Sequence, residues 1–151
     1  MLRRVADPSR LRQLRGGLQR SDGSALVLTL LMIPTLLVLV GLVLDGAIYV
    51  RQQVALESAV DAAALAATDA YDREIWDSER RVVIDESAAR DLAQEYLGKN
   101  MPAAGLAEVH VDPLAPNQVR VAATATARFA FMPIVGIRET PLYAWAVAKK
   151  S

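Results

Sequence analysis

Acidic side chains are the residues of this sequence that could most readily carry chemistry. Five of them fall in one stretch that also contains three arginines: Asp69, Asp72, Glu74, Asp77 and Glu79, with Arg73, Arg80 and Arg81. Two carboxylates act as general acid and base when their surroundings give them different proton affinities. A stretch of mixed charge instead indicates a solvated surface. We therefore predict no catalytic residues and no enzyme activity.

Other residue types that carry chemistry are scarce. The sequence has no cysteine, which excludes disulfides, thiolate metal sites and cysteine nucleophiles. Its single histidine, His110, stands between two valines in a strand-like run, where an ordinary strand residue is the simpler interpretation. The sequence holds no phosphate-binding loop, nucleophile elbow or metal-ligand spacing. We expect neither a metal nor a cofactor.

Two further acidic residues are of more interest. Asp45 closes an apolar run, where a carboxylate would mark the membrane interface and reach water. Asp61 lies four residues after Glu57 in an alanine-rich helical stretch. It could be an ordinary exposed acid or make an ionic contact to a partner subunit, and the residues leave both interpretations open.

Asp45 and Asp61 follow an uncharged run of 22 residues, 23–44, which is the first structural element to consider. At about 1.5 Å per residue, a helix of this length spans about 33 Å, enough for a hydrocarbon core about 30 Å thick. The run lacks the regularly spaced polar positions of a helix in a small soluble core. It is also too long for a typical secretory signal, and no Ala-x-Ala site follows closely. We predict a single transmembrane helix with the lipid bilayer as its partner.

The charges on either side of this run differ in sign. Residues 1–22 carry a net charge of +4 from six arginines and two aspartates, and the chain after residue 44 carries −4. Basic residues that flank a first span stay on the cytoplasmic side. We predict a cytoplasmic basic arm (1–22), a transmembrane helix (23–44) and an extracytoplasmic α+β domain (45–151), in the cytoplasmic (inner) membrane. The arm lacks aromatic stacking residues and leads straight into the apolar run, so we expect no nucleic-acid partner.

The predicted helix continues past the membrane as far as about residue 70, because no proline and mainly strong helix formers follow. Residues at spacings of three and four share one face, which becomes alanine-rich along the helix. They are Ile48, Gln52, Leu56, Ala59, Ala63, Ala66 and Ala70. Small residues allow another backbone to approach closely. This face could pack on its own domain or on sister subunits, and both remain open.

The remainder of the chain predicts one more helix and three strands. Residues 71–84 are expected to form a loop or broken helix, followed by a helix at about 86–97 that Asp85 or Ser87 caps and Gly98 ends in a left-handed conformation. Alternating runs then predict strands near 107–112, 119–129 and 142–149, with a turn at 113–117 and an apolar loop at 132–137. Short connections favour an antiparallel meander, with the helices covering one face. The fold class is therefore α+β.

The sequence between residues 20 and 70 resembles the TadE/TadG-like proteins of Tad (Flp, type IVc) pilus assembly. The resemblance rests on a Gly-Ser start, a span that ends in Leu-Asp-Gly, and the phrase Leu-x-x-Ala-x-Asp-Ala-Ala-Ala-Leu-Ala-Ala at 56–67. It implies a pilin-like architecture and an envelope protein that helps to build an adhesive pilus or forms a minor part of it. The motif positions that it marks for subunit contact are Asp45, Leu56, Ala59, Asp61, Ala63, Leu65 and Ala66.

The resemblance also implies a processing site. TadE-type members are cut by a prepilin peptidase after a glycine, with a glutamate five residues on. Gly23 and Ser24 would supply the cleaved bond here, but position 28 is Leu28. This departure favours a TadG-like module that keeps its basic arm.

The leading hypothesis is thus a membrane-anchored structural or assembly component of a Tad-type pilus or its secretion machinery. Its expected partners are other Tad subunits and, as a homo-oligomer, further copies of itself. The alternative is a membrane-anchored binding or sensing module unrelated to pili. A membrane-tethered hydrolase has little support.

Overall fold

The structure is a computed structural model that describes the backbone of residues 8–151 and the side chains of residues 23–151. The first seven residues of the predicted basic arm, and the side chains of the rest of it, lie outside the described residues. The chain divides into two compact units, residues 1–42 and residues 43–151.

A single helix, α1, covers Pro8–Ala67. Its stretch Gly23–Ala67 is long and apolar enough to cross a membrane, and its most apolar 18-residue window has a mean hydropathy of 2.8. Almost none of that window is buried in the protein, and large side chains from Leu26 to Leu44 are exposed. A soluble protein would hide such a surface in its core. A surface of this kind is instead typical of a helix covered by lipid.

Two shorter helices follow. Helix α2 covers Arg73–Glu79, and its N-cap is Asp72. Of the predicted alternatives, a loop or a broken helix, the structure has a short helix with irregular residues after it. The backbone on either side of α2 is tied together, because the amide of Asp72 donates to Val83 O at 2.8 Å and the amide of Asp85 donates to Ala70 O at 2.8 Å. These hydrogen bonds bring the two ends of the charged stretch, residues 71–84, together next to the end of α1.

Helix α3 covers Glu86–Asn100, and Asp85 caps it as predicted, with its carboxylate accepting from the amides of Ser87 and Ala88. The predicted stop at Gly98 is wrong, because the helix continues through this residue. The Lys99 ammonium pairs with Glu95 one turn back, and the Asn100 amide donates to Tyr96 O at 2.8 Å. These contacts support the last turn, and the helix ends just ahead of Pro102.

Three strands form one antiparallel sheet in the order β1-β2-β3. They are β1 (Gly105–Asp112), β2 (Ala115–Arg128) and β3 (Glu139–Lys149). The predicted meander and the α+β class are confirmed. Each strand begins two to four residues earlier than predicted, and β2 begins inside the predicted turn because Ala115 pairs with Asp112.

The core lies between one face of this sheet and the helices. Val109, Val121 and Ala146 occupy neighbouring positions on the three strands, and all three are buried. The buried residues of β2 and β3 follow the two-residue alternation of the sequence, apart from Ala122, which is also buried. A β-bulge between Leu106 and Glu108 shifts the register of β1, which leaves Ala107 exposed.

Candidate functional site

Asp45 is the most unusual residue of the unit 43–151, because its side chain is 0% exposed although it is charged. One carboxylate oxygen accepts from the amide of Ala130 at 2.7 Å. The other accepts from the amides of Phe131 and Met132 at 2.9 and 2.5 Å. Three donated hydrogen bonds compensate the cost of removing a carboxylate from water. The prediction that Asp45 reaches water at the interface is thus wrong: its partners are backbone amides of the protein.

These three amides belong to the connection between β2 and β3, residues 129–138. Met132–Val135 in this connection form a short 3-10 helix, η1, and Gly136 follows it with φ of 92°, in the left-handed region that favours glycine. Two further contacts join the connection to the helix turns after Asp45. The rings of Tyr49 and Phe129 stack with their centroids 6.4 Å apart, and the Gln52 side-chain amide lies 3.5 Å from Arg128 O.

The alanine face of α1 lies in the domain's own core. Leu56, Ala59, Ala63 and Ala66 are buried. Leu56, Ala59 and Ala63 belong to one apolar cluster with residues of α3 and the sheet. A surface that is already buried offers nothing to a neighbouring subunit in this conformation. Of the two interpretations that the sequence left open, the structure therefore favours packing on the same chain, and the predicted subunit contact at these four positions is untested.

Asp61 and Leu65 lie on the opposite, exposed side of α1. Leu65 is 66% exposed. Glu57, one turn before Asp61, accepts a hydrogen bond from the Gln53 side chain at 2.8 Å. The motif at residues 56–67 thus has buried residues that pack in the core of the domain, and two exposed residues, Asp61 and Leu65.

Gly23 and Ser24 are exposed and lie within α1, near the start of the apolar run. A Cβ atom added at Gly23 would meet nothing within 4 Å. The fold of this chain therefore does not require a glycine at that position. Whether a peptidase cuts there stays a prediction.

Sequence reasoning missed the partners of Asp45 because they lie 85 to 87 residues away along the chain. The available signal was the uncharged stretch Phe129–Ile137, which stands between Arg128 and Arg138. Its composition predicted an apolar loop, but it did not show which residue the loop contacts. A carboxylate that accepts from three amides is suited to holding a loop in place rather than to accepting a substrate proton.

The sheet also exposes an aromatic surface on its outer face. Tyr143, Trp145 and Val147 alternate along β3 and are about half exposed. The Arg120 guanidinium lies 4.9 Å from the ring centroid of Trp145, at a cation–π distance. His110 lies on the same face and is exposed, as expected for an ordinary strand residue.

Comparison with known proteins gives one match. No curated protein and no solved structure matches the chain. The family model described as "Putative Flp pilus-assembly TadE/G-like" matches residues 23–72, about a third of the chain. The matched segment begins with the apolar run, contains Asp45 and the alanine face, and ends at the N-cap of α2. Residues 23–72 are therefore similar to the TadE/G-like Flp pilus-assembly family, the family that the sequence resembles.

Proposed function

We propose that this protein is a membrane-anchored structural or assembly component of a Tad-type pilus or its secretion machinery. The observation that carries the proposal is the TadE/G-like match over residues 23–72. It covers the exposed apolar run and Asp45, whose buried carboxylate accepts a hydrogen bond from Ala130 in the connection between β2 and β3. The protein acts through its contacts and not as an enzyme. Its buried carboxylate, at Asp45, already accepts three hydrogen bonds from the chain itself.

The topology in this proposal has the N-terminus in the cytoplasm and the domain from residue 45 onward outside. The +4 arm ahead of the apolar run supports it. An enzyme reporter that works only outside the cytoplasm, fused after Ser151, should be active. A second reporter that works only in the cytoplasm should be silent at the same position, and activity there would contradict the orientation.

Contact with other pilus subunits is assigned to the exposed side of α1, at Asp61 and Leu65. Small and apolar exposed positions on a helix are suited to packing on another helix, and a carboxylate adds an ionic contact. A photo-crosslinking residue at Leu65 in the native cell should capture other Tad subunits or a second copy of the chain. Leu114 is a matched control, because it is an exposed leucine in the turn between β1 and β2.

The crosslinking result distinguishes this function from the alternatives. Tad subunits captured at position 65 and not at 114 support the proposal. Equal capture at both positions, or capture of proteins unrelated to pili at position 65, contradicts it.

The proposal further holds that most of the protein keeps its basic arm. Leu28 stands where a pilin-type site has glutamate, and a leucine is favoured in lipid where a carboxylate is costly. N-terminal sequencing of membrane-extracted protein should show a start ahead of residue 24. A dominant start at Ser24 would mean that a peptidase cuts after Gly23 and would place the protein with the pilin-like subunits.

A further inference from the structure

The connection between β2 and β3 exposes apolar side chains that the function above does not use. We call residues 129–137 the apolar loop. Ile134 is 79% exposed and Val135 is 70% exposed, and Phe131 and Ile137 also present nearly half of their surface. Four large apolar side chains are thus exposed within one short loop, and concentrated exposed apolar surface commonly marks a site that lipid or another molecule covers.

The position of the apolar loop along the domain indicates what covers it. Asp45 follows directly on the uncharged run 23–44, and its carboxylate holds three amides of the loop. At the far end of the domain, Lys150 Nζ lies 2.6 Å from a carboxylate oxygen of Asp69. Strand β3 thus begins after the loop, near Asp45, and ends near Asp69, just beyond the end of α1.

The lengths agree with this placement. From Asp45 to Ala67, where α1 ends, the helix spans about 33 Å, and the 11 residues of β3 span about 34 Å as an extended strand. The apolar loop therefore lies at the end of the domain where the predicted membrane segment stops. The turn that carries Leu114 lies at the other end of β2.

The sequence around the apolar loop matches the chemistry of a membrane interface. No charged residue lies between Arg128 and Arg138. Both arginines are exposed, at the two ends of the loop. Aromatic side chains are enriched at the level of lipid headgroups, and arginines beside an apolar surface can reach lipid phosphates. Tyr49 and Phe129 supply stacked aromatic rings beside the loop.

We propose that the apolar loop inserts into the outer face of the same bilayer that α1 crosses. Its apolar side chains lie at the boundary between headgroups and acyl chains, at the depth of about 5–10 Å that interfacial segments reach. The lipid surface is thus a second membrane contact, and Asp45 holds the loop in place for it. The proposal depends on the single-pass anchoring proposed above.

The test uses the full chain in lipid nanodiscs, labelled at one site with an environment-sensitive fluorophore. The absence of cysteine from the sequence makes single-site labelling direct. Three variants are compared: Ile134→Cys in the apolar loop, Leu114→Cys as an exposed apolar control at the other end of the sheet, and Leu37→Cys in the middle of the predicted span. Each is quenched by aqueous iodide and by lipids that carry a spin label either near the headgroup or deep in the acyl chain.

We expect the label at position 134 to be quenched most by the shallow spin label and to be protected from iodide. The label at 114 should be quenched by iodide alone, and the label at 37 most by the deep spin label. Equal iodide quenching at 134 and 114 would overturn the loop proposal. Protection of 134 from iodide without quenching by either lipid would also overturn it, because a protein neighbour would then cover the loop. Failure of the deep lipid to quench position 37 would instead reject the anchor itself.

Discussion

Ala63 provides the sharpest test of whether the alanine face of α1 serves the domain's own core. Its side chain has no exposed surface and belongs to the same buried cluster as Leu56 and Val60. Leucine at this position adds three carbon atoms to a site that is already closed. Overpacking of this kind typically costs about 1–3 kcal/mol.

The expected effect on thermal stability follows from the size of the domain. In a domain of about 100 residues, each kcal/mol of lost stability lowers Tm by about 4–8 °C. A loss near the middle of the range, about 2 kcal/mol, therefore lowers Tm by about 8–16 °C. Differential scanning calorimetry of the full chain in detergent micelles measures it, because the soluble domain gives the cooperative transition.

Ala55→Leu is the matched control, because it makes the same change on the same helix at an exposed position. Surface changes usually stay within about 0.5 kcal/mol, so its Tm should move by less than about 4 °C. Ala64 is unsuitable as a control because it is itself buried. If Ala63→Leu left Tm unchanged and only prevented pilus assembly, the alanine face would serve a partner subunit and the core assignment would be refuted.

Three other predictions address different parts of the chain. Asp45→Asn should accelerate hydrogen exchange at the amides of residues 130–132, because the variant offers one acceptor oxygen to three donors. The control Asp61→Asn, on the exposed side of α1, should leave that exchange unchanged. Hydrogen bonds from a neighbouring serine hydroxyl and two helix amides lower the pKa of Asp85 below its ordinary 3.8. Its contribution to stability is therefore full above that ordinary value and is lost as pH falls through the lower pKa of the folded state. The difference in unfolding free energy between the intact protein and Asp85→Ala should thus be constant near neutral pH and shrink below pH 3.8. The double variant Leu31→Arg with Leu37→Arg should no longer fractionate as an integral membrane protein, because each central charge costs about 2.5–3.5 kcal/mol on insertion scales. If the variant still fractionated as an integral membrane protein, the assigned span would be contradicted.

Local patterns predicted the elements of this fold well. The uncharged run and the helical spacing after it predicted one long helix, and two-residue alternation predicted the three strands. Asp85 was one of two candidate caps, with Ser87, because short polar side chains reach the amides of the next turn. Each of these predictions depends on residues that are close in the sequence.

What could not be predicted depends on residues that are distant in the sequence. Asp45 resembled an interfacial acid, because nothing near it showed that amides from residues 130–132 would surround its carboxylate. Gly98 resembled a helix stop, because glycine often fills that role, yet contacts of Lys99 and Asn100 with the preceding turn carry the helix further. The alanine face was ambiguous because small residues suit a core and a subunit contact equally well.

The number of surface pili on cells that lack this gene tests the central claim most directly. Electron microscopy would compare the deletion strain with the parent strain and with a strain in which the intact chain is restored. A structural or assembly role in a Tad-type pilus predicts that pili are absent or strongly reduced on the deletion strain and return with the restored gene. Pili in parental numbers on the deletion strain would contradict it.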